Sequence, residues 1–337
     1  MMRRSIAGVF GMMLVSCGSS RCSLRQRAAS EPTPPATAKP DAPSGARGAD
    51  DEGAGARPTE GALDARLEVL RRGGRRSVAY AAPTADEERA YRAWFALALA
   101  KLDADLPPPP PPDGFVVEVI DGLWVLGEAA GRARGAGAVA LRPRPAVEVL
   151  VEAPHTFFDI GTLPIARVAI ERSRARALLV NTVHRYRAQA PASGGDDEES
   201  SSASDVAHAE RSFFLFAHEE LTRALPRASA VQFHGFAAAK APGVAAIVSA
   251  STTSGPAAQV AAAMRAVAGA PSAVRLFPDE VRILGGTTNV EAAASRRAGR
   301  AFVHVELASD AREQLQRDRA LLERTVAAIV AAAATRP

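Results

Sequence analysis

From residue 62 onward the chain alternates between amphipathic stretches and short apolar runs. Leu63–Leu70 carries apolar residues at helical spacing, and Thr84–Leu102 does so more strongly through Tyr91, Trp94, Phe95, Ala98 and Leu102. Pro107–Pro112 is a polyproline spacer that ends the second helix. Phe115–Ile120 and Leu123–Leu126 read as strands on either side of Asp121-Gly122, a two-residue hairpin signal. Ala138–Leu141 and Val147–Val151 read as further strands. Beyond them come a helix over Leu163–Ser173, a strand over Ala177–Val180, a helix over Ser212–Leu225 and a strand over Ala230–Phe233. Ala245–Ser249 reads as a strand and Ala257–Ala268 as a helix. Val274–Phe277 and Ala301–Val305 follow as strands, and Arg312–Ala334 as one long closing helix. This order predicts an α/β fold: a mostly parallel mixed sheet covered by helices on both faces, with the hairpin extending it antiparallel at the N-terminal edge.

Before residue 62 the periodicity disappears. Residues 17–61, above all from Ser23, are rich in Pro, Ala, Gly, Ser and Asp with almost no large apolar side chain, which predicts a disordered tether. Met1-Met2-Arg3-Arg4 followed by the short apolar run Ile6–Val15 makes residues 1–16 a secretory signal peptide, too short to span a bilayer. Leu14-Val15-Ser16-Cys17 resembles a bacterial lipobox. That resemblance implies a diacylated Cys17 at the mature N-terminus, anchoring the chain to the bacterial cell envelope without spanning it and facing the periplasm. Residues 62–337 then form a single domain held away from the membrane. Once Cys17 is lipidated, Cys22 is the only thiol left, so no intrachain disulfide is possible.

Composition narrows the function by exclusion. A chain of 337 residues with 47% hydrophobic content can build one or two domains with a real core. Arg3 and Arg4 supply two of the formal net charge of +4, and no basic stripe interleaves with aromatics, which argues against a nucleic-acid partner. Gly194–Ser204 is acidic but fits no EF-hand spacing, so it reads as a solvated surface loop. There is no Gly-x-Ser-x-Gly elbow, no Walker loop and no plausible cysteine nucleophile. Gly285-Gly286-Thr287-Thr288-Asn289 reads as a loop near the site that shapes access rather than as a phosphate cradle.

The informative regularity is where polar residues fall. One apolar strand ends at Pro154-His155, another at Asn181, a third within Gln232-Phe233-His234-Gly235-Phe236 and a fourth at Glu306. In a parallel sheet these ends share one edge, where open α/β folds place their ligands. His155 and Asp159, four residues apart just past a strand, are plausible as the first half of a zinc site. His304 alternates with Glu306 on one strand face as a further ligand or a supporting group. His218, inside a predicted helix, is most simply a structural or surface histidine.

Pro154-His155-Thr156-Phe157-Phe158-Asp159-Ile160-Gly161-Thr162, Asn181–Tyr186, Val231–Phe236 and Phe302–Leu307 together resemble, in that order, the zinc exopeptidase and amidohydrolase superfamily. The nearest branches are the N-formylglutamate amidohydrolases and the phage-type poly-γ-glutamate hydrolases, and the resemblance runs from about Val147 to Leu315. It implies a phosphorylase/hydrolase-like fold and one zinc ion held by His155, Asp159 and His234. It also implies Glu306 as general base or acid, and Arg185, with Asn181, as the grip on a substrate carboxylate. Carboxypeptidase-like members carry His-x-x-Glu where this chain has His-x-x-x-Asp, so Asp205 and His208 stand as replacement ligands or substrate contacts. The implied activity is hydrolysis of an amide bond in a carboxylate-bearing, peptide-like or N-acyl amino acid substrate. A binding or structural envelope lipoprotein that keeps the fold without catalysis is the alternative.

Overall fold

Asp121 and Gly122 both take positive φ, 51° and 74°, as a two-residue type I′ hairpin requires. They join β1 (Phe115–Ile120) to β2 (Leu123–Glu128), with Ile120 opposite Leu123. β3 (Ala138–Leu141) continues the antiparallel meander. The computed structural model describes residues 61–76, 80–188, 202–250, 256–268 and 273–335. The leader, Cys17, Cys22, the tether up to residue 60 and most of the Gly194–Ser204 loop lie outside them.

The meander leads into the centre of a nine-stranded mixed sheet of order β1-β2-β3-β5-β4-β6-β9-β7-β8. Its middle four strands, β5 (Ala175–Val180), β4 (Val147–Ala153), β6 (Ser229–Phe236) and β9 (Ala301–Ala308), are mutually parallel. The hairpin edge is antiparallel, as expected. At the opposite edge β7 (Ala246–Ala250) also runs antiparallel to β9, with the short β8 (Val274–Leu276) parallel to it. A strand's direction leaves no trace in its own apolar pattern, so the sequence does not announce this reversal.

Alternate residues of the central strands feed two separate cores. Val149, Val151, Phe233, Val303 and Val305 pack with α1 (Ala62–Arg76), α3 (Thr162–Ser173), α5 (Ala257–Ala268) and α8 (Arg319–Ala334). Leu150, Ala177, Leu179, Ala230 and Phe302 pack with α2 (Ala85–Asp103) and α4 (Phe213–Ala224). Helices thus cover both faces. α2 starts at a capping box in which Thr84 and Glu87 satisfy each other's backbone N–H. Two elements differ from expectation. The closing helix is two helices, α7 (Ser309–Arg317) and α8, because Asp318 leaves the helical region and caps α8 at the Leu321 N–H. An additional helix, α6 (Val290–Arg297), buries Glu291 and Ser295 beside Ala292 and Ala294, and that polar buried face hides it from an apolar-period reading.

Candidate metal centre

The C-terminal ends of the four parallel strands converge. After β4, the Asp159 N–H bonds the His155 carbonyl at 2.7 Å, so one helical turn stacks the two side chains. Asp159 Oδ2 lies 3.3 Å from His155 Nδ1 and 3.6 Å from His234 Nδ1 on β6. Zinc bonds of ~2.0–2.2 Å in a tetrahedron set neighbouring donors about 3.4 Å apart. One donor atom from each of the three lies within 4.8 Å of the others, and all three residues are buried. Two imidazoles and one carboxylate with a fourth position open are a donor set suited to catalytic zinc. The extra residue in His-x-x-x-Asp offsets the shorter side chain: Asp159 reaches by backbone what a glutamate reaches by length.

Asp205 stands behind His155, its Oδ1 2.8 Å from His155 Nε2. An ionised carboxylate only accepts, so His155 carries its hydrogen on Nε2 and turns Nδ1 toward Asp159. The other Asp205 oxygen meets Arg185 at 2.5 Å and His208 at 3.2 Å. Asp205 thus braces His155, and together with His155 and His208 it forms a second cluster whose donor atoms also lie within 4.8 Å of one another. Burial opposes the charge on Asp159 and Asp205, but the neighbouring histidines, His155 with His234 beside Asp159 and His155 with His208 beside Asp205, outweigh it and hold both acids below the carboxylate range. Burial likewise works against a charged His155, but its two carboxylates raise it. His234, with one carboxylate, is lowered to about 4 by burial. Binding a cation between them displaces any proton on His155.

Glu306 on β9 pairs in register with His234 and is 7% exposed. Its Oε1 lies 3.7 Å from His304 Nε2 and its buried Oε2 has no partner. Burial, reinforced by the Asp159 charge, pushes Glu306 up to about 8. His304 is lowered well below its ordinary value, first by burial and then by His234. The Gly285–Asn289 loop packs on this corner, where a Cβ at Gly286 would meet the His304 ring at 2.9 Å.

Arg185 lies over the rings of Phe158 and Tyr186, 5.2 Å from each centroid, and its buried Nε has no partner. Asn181 differs from the expected substrate contact. It spends both amide hydrogens on the Pro154 and Val183 carbonyls, at 2.7 and 3.0 Å, and accepts from the Val183 N–H. Its place is to tie the end of β5 to the turn that carries His155.

Arg312 escaped the sequence reading. From α7 its Nε donates to the Ile160 carbonyl at 2.7 Å, and its Nη1 donates to the carbonyls of Leu307 and, at 3.4 Å, Phe236. One guanidinium thus pins the segments that carry Asp159, His234 and Glu306. Gly235 makes room for it: a Cβ there would stand 2.2 Å from Nη1. The signal available in sequence was that glycine beside His234.

No protein-family model matches the chain, and no curated protein matches its sequence. Among solved structures it is similar to a bacteriophage poly-gamma-glutamate hydrolase, at 17% identity over 61% of this chain and 90% of the other, with a TM-score of 0.40. It is similar to an N-formylglutamate amidohydrolase from Ralstonia eutropha JMP134, at 13% identity over 58% and 98%, TM-score 0.39. A metallo-carboxypeptidase from Burkholderia cenocepacia matches at 11% identity over 71% and 68%, TM-score 0.37. The first two carry the names of the branches that the sequence motifs resemble.

Proposed function

We propose that the chain is a zinc-dependent hydrolase that cleaves an amide bond in a carboxylate-bearing, peptide-like or N-acyl amino acid substrate. The observation that carries this reading is the convergence of His155, Asp159 and His234 at one sheet edge with the buried Glu306 carboxyl beside them. A zinc ion held by those three residues would supply a Lewis acid and lower the pKa of a bound water to ~7. Glu306, whose Oε2 has no protein partner, takes the proton of the attacking water. It returns that proton to the amine nitrogen as the C–N bond breaks, leaving a carboxylate and a free amine. Arg185 offers its unpartnered Nε to a substrate carboxylate, with the stacked Phe158 and Tyr186 rings limiting its movement. Lipidation at Cys17 would anchor the enzyme to the cell envelope, facing the periplasm. None of the described helices is long and apolar enough to cross a membrane.

Elemental analysis of the full chain, alone and with His234→Ala, tests the metal reading. About one zinc per chain is expected, mostly lost in the variant. Hydrolysis of a panel of N-acyl amino acids and γ-glutamyl peptides should disappear in Glu306→Gln while zinc stays bound. A chain that takes up no zinc, or a Glu306→Gln variant that retains full activity, would refute the proposal.

A further inference from the structure

Beneath the metal position a buried polar network on the same face of the sheet carries hydrogen-bond information to His234 from the start of α6. Its starting point is unambiguous: the Ala292 backbone N–H can only donate, and it bonds Asn289 Oδ1 at 2.8 Å as the N-cap of α6. Asn289 Nδ2 must then be the amide's donor end. It lies 2.6 Å from Gln232 Oε1, which therefore accepts. The other end of Gln232 agrees, since its Nε2 faces Glu152 Oε2 at 2.9 Å and Glu291 Oε2 at 3.3 Å. Flipping the Gln232 amide would set its oxygen against two carboxyl groups and its hydrogens against those of Asn289. Gln232 Oε1 also lies 2.6 Å from His234 Nε2, so that nitrogen must donate. Glu152, Gln232 and Glu291 are 0% exposed and Asn289 is 3% exposed, so no water competes for these contacts.

We propose that Asn289, acting through Gln232, locks His234 in the Nε2–H tautomer, which turns the Nδ1 lone pair toward Asp159 and the metal position. A histidine ligand is neutral and coordinates through its bare nitrogen, so the cap of a helix 55 residues downstream decides which nitrogen His234 offers. Gln232 and Asn289 are positioning residues; neither faces the substrate. The consequence for zinc rests on the metal reading above, but the tautomer itself does not.

Two variants separate these roles. Gln232→Met keeps length and apolar volume and removes the acceptor. Asn289→Ser keeps a capping oxygen for the Ala292 N–H and removes the amide hydrogens that orient Gln232. Long-range 1H–15N spectra of the histidine rings in the zinc-free full chain read the tautomer directly, and competition with a chromophoric chelator reads zinc affinity. The wild-type chain should show His234 as Nε2–H. Gln232→Met should shift it toward Nδ1–H and weaken zinc about 10–100-fold, and Asn289→Ser should act in the same direction. If Gln232→Met does not fold, Asn289→Ser alone decides. His234 as Nδ1–H in the wild type overturns the proposal, as do variants that fold and keep both wild-type tautomer and zinc affinity. A wild-type chain that binds no zinc but keeps the Nε2–H tautomer sinks the metal reading and leaves the lock standing.

Discussion

Replacing Arg312 by methionine tests whether one side chain holds the strand ends in register. Methionine preserves most of the buried volume but removes every donor. The Ile160 and Leu307 carbonyls lose their guanidinium partner, while the 3.4 Å contact to Phe236 is too long to matter much. A hydrogen bond from a charged donor contributes about 1.5–3 kcal/mol, which puts the two at roughly 3–6 kcal/mol. Burial of the guanidinium works the other way, and it is what lowers the Arg312 pKa. The net loss is then about 3 kcal/mol. With a urea m-value of about 3 kcal/mol/M, the denaturation midpoint of the zinc-free chain should fall by about 1 M. Gly235→Ala provides the second arm. Its new Cβ would sit 2.2 Å from Nη1, and because that tip is pinned it cannot simply swing away, so the cost is about 1–3 kcal/mol. In the Arg312→Met background the obstruction is gone. The double variant should lose at least ~1 kcal/mol less than the two single losses combined. Additivity within ~0.5 kcal/mol, or a midpoint shift under ~0.3 M for Arg312→Met, would refute the pin.

Two other outcomes follow from the site. Glu306 is held up to about 8 by burial and Asp159. An acid raised in the folded chain stabilises it fully below its ordinary value near 4.5, and that stabilisation is lost as pH rises through the folded value. Zinc-free Glu306→Gln should therefore melt above the wild type at pH 8.5, by an amount on the order of a few kcal/mol, with the gap closing toward pH 4.5; a gap that ignores pH would exclude a buried, proton-holding Glu306. Asp205→Ala removes the acceptor behind His155 and should weaken zinc about 10–100-fold by chelator competition, whereas unchanged affinity would remove Asp205 from any part in orienting that ring.

Much of the site's placement was legible because polar residues stood out against apolar runs. His155, Asp159, His234 and Glu306 each interrupt or end a hydrophobic segment, and a sheet brings such ends together without further information. The hairpin was legible for a different reason: Asp-Gly tolerates the positive φ that its two positions adopt. What could not be read depends on contacts between distant residues. Asp205 lies fifty positions from His155, and nothing in its neighbourhood distinguishes a bracing carboxylate from a coordinating one. The resemblance implied Asn181 as a substrate contact, but its amide is consumed within the turn. α6 buries Glu291 and Ser295, so its inward face imitates a surface. Asp318 divides the closing helix with a single residue, well within the polar content of any amphipathic stretch.

The position of β9 in the sheet orders the events of biogenesis. Among the described residues, β9 follows every other strand of the sheet in chain order, yet it lies between β6 and β7 rather than at a margin, and it carries Glu306. Until it arrives, β6 and β7 lack their common neighbour, and His155, Asp159 and His234 lack the Glu306 carboxyl beside them. Neither co-translational docking nor an N-terminal fragment ending before Ala301 completes the centre. Under the proposed function, the three donors can meet before β9 is added, but Glu306 joins them only once β9 has paired with β6.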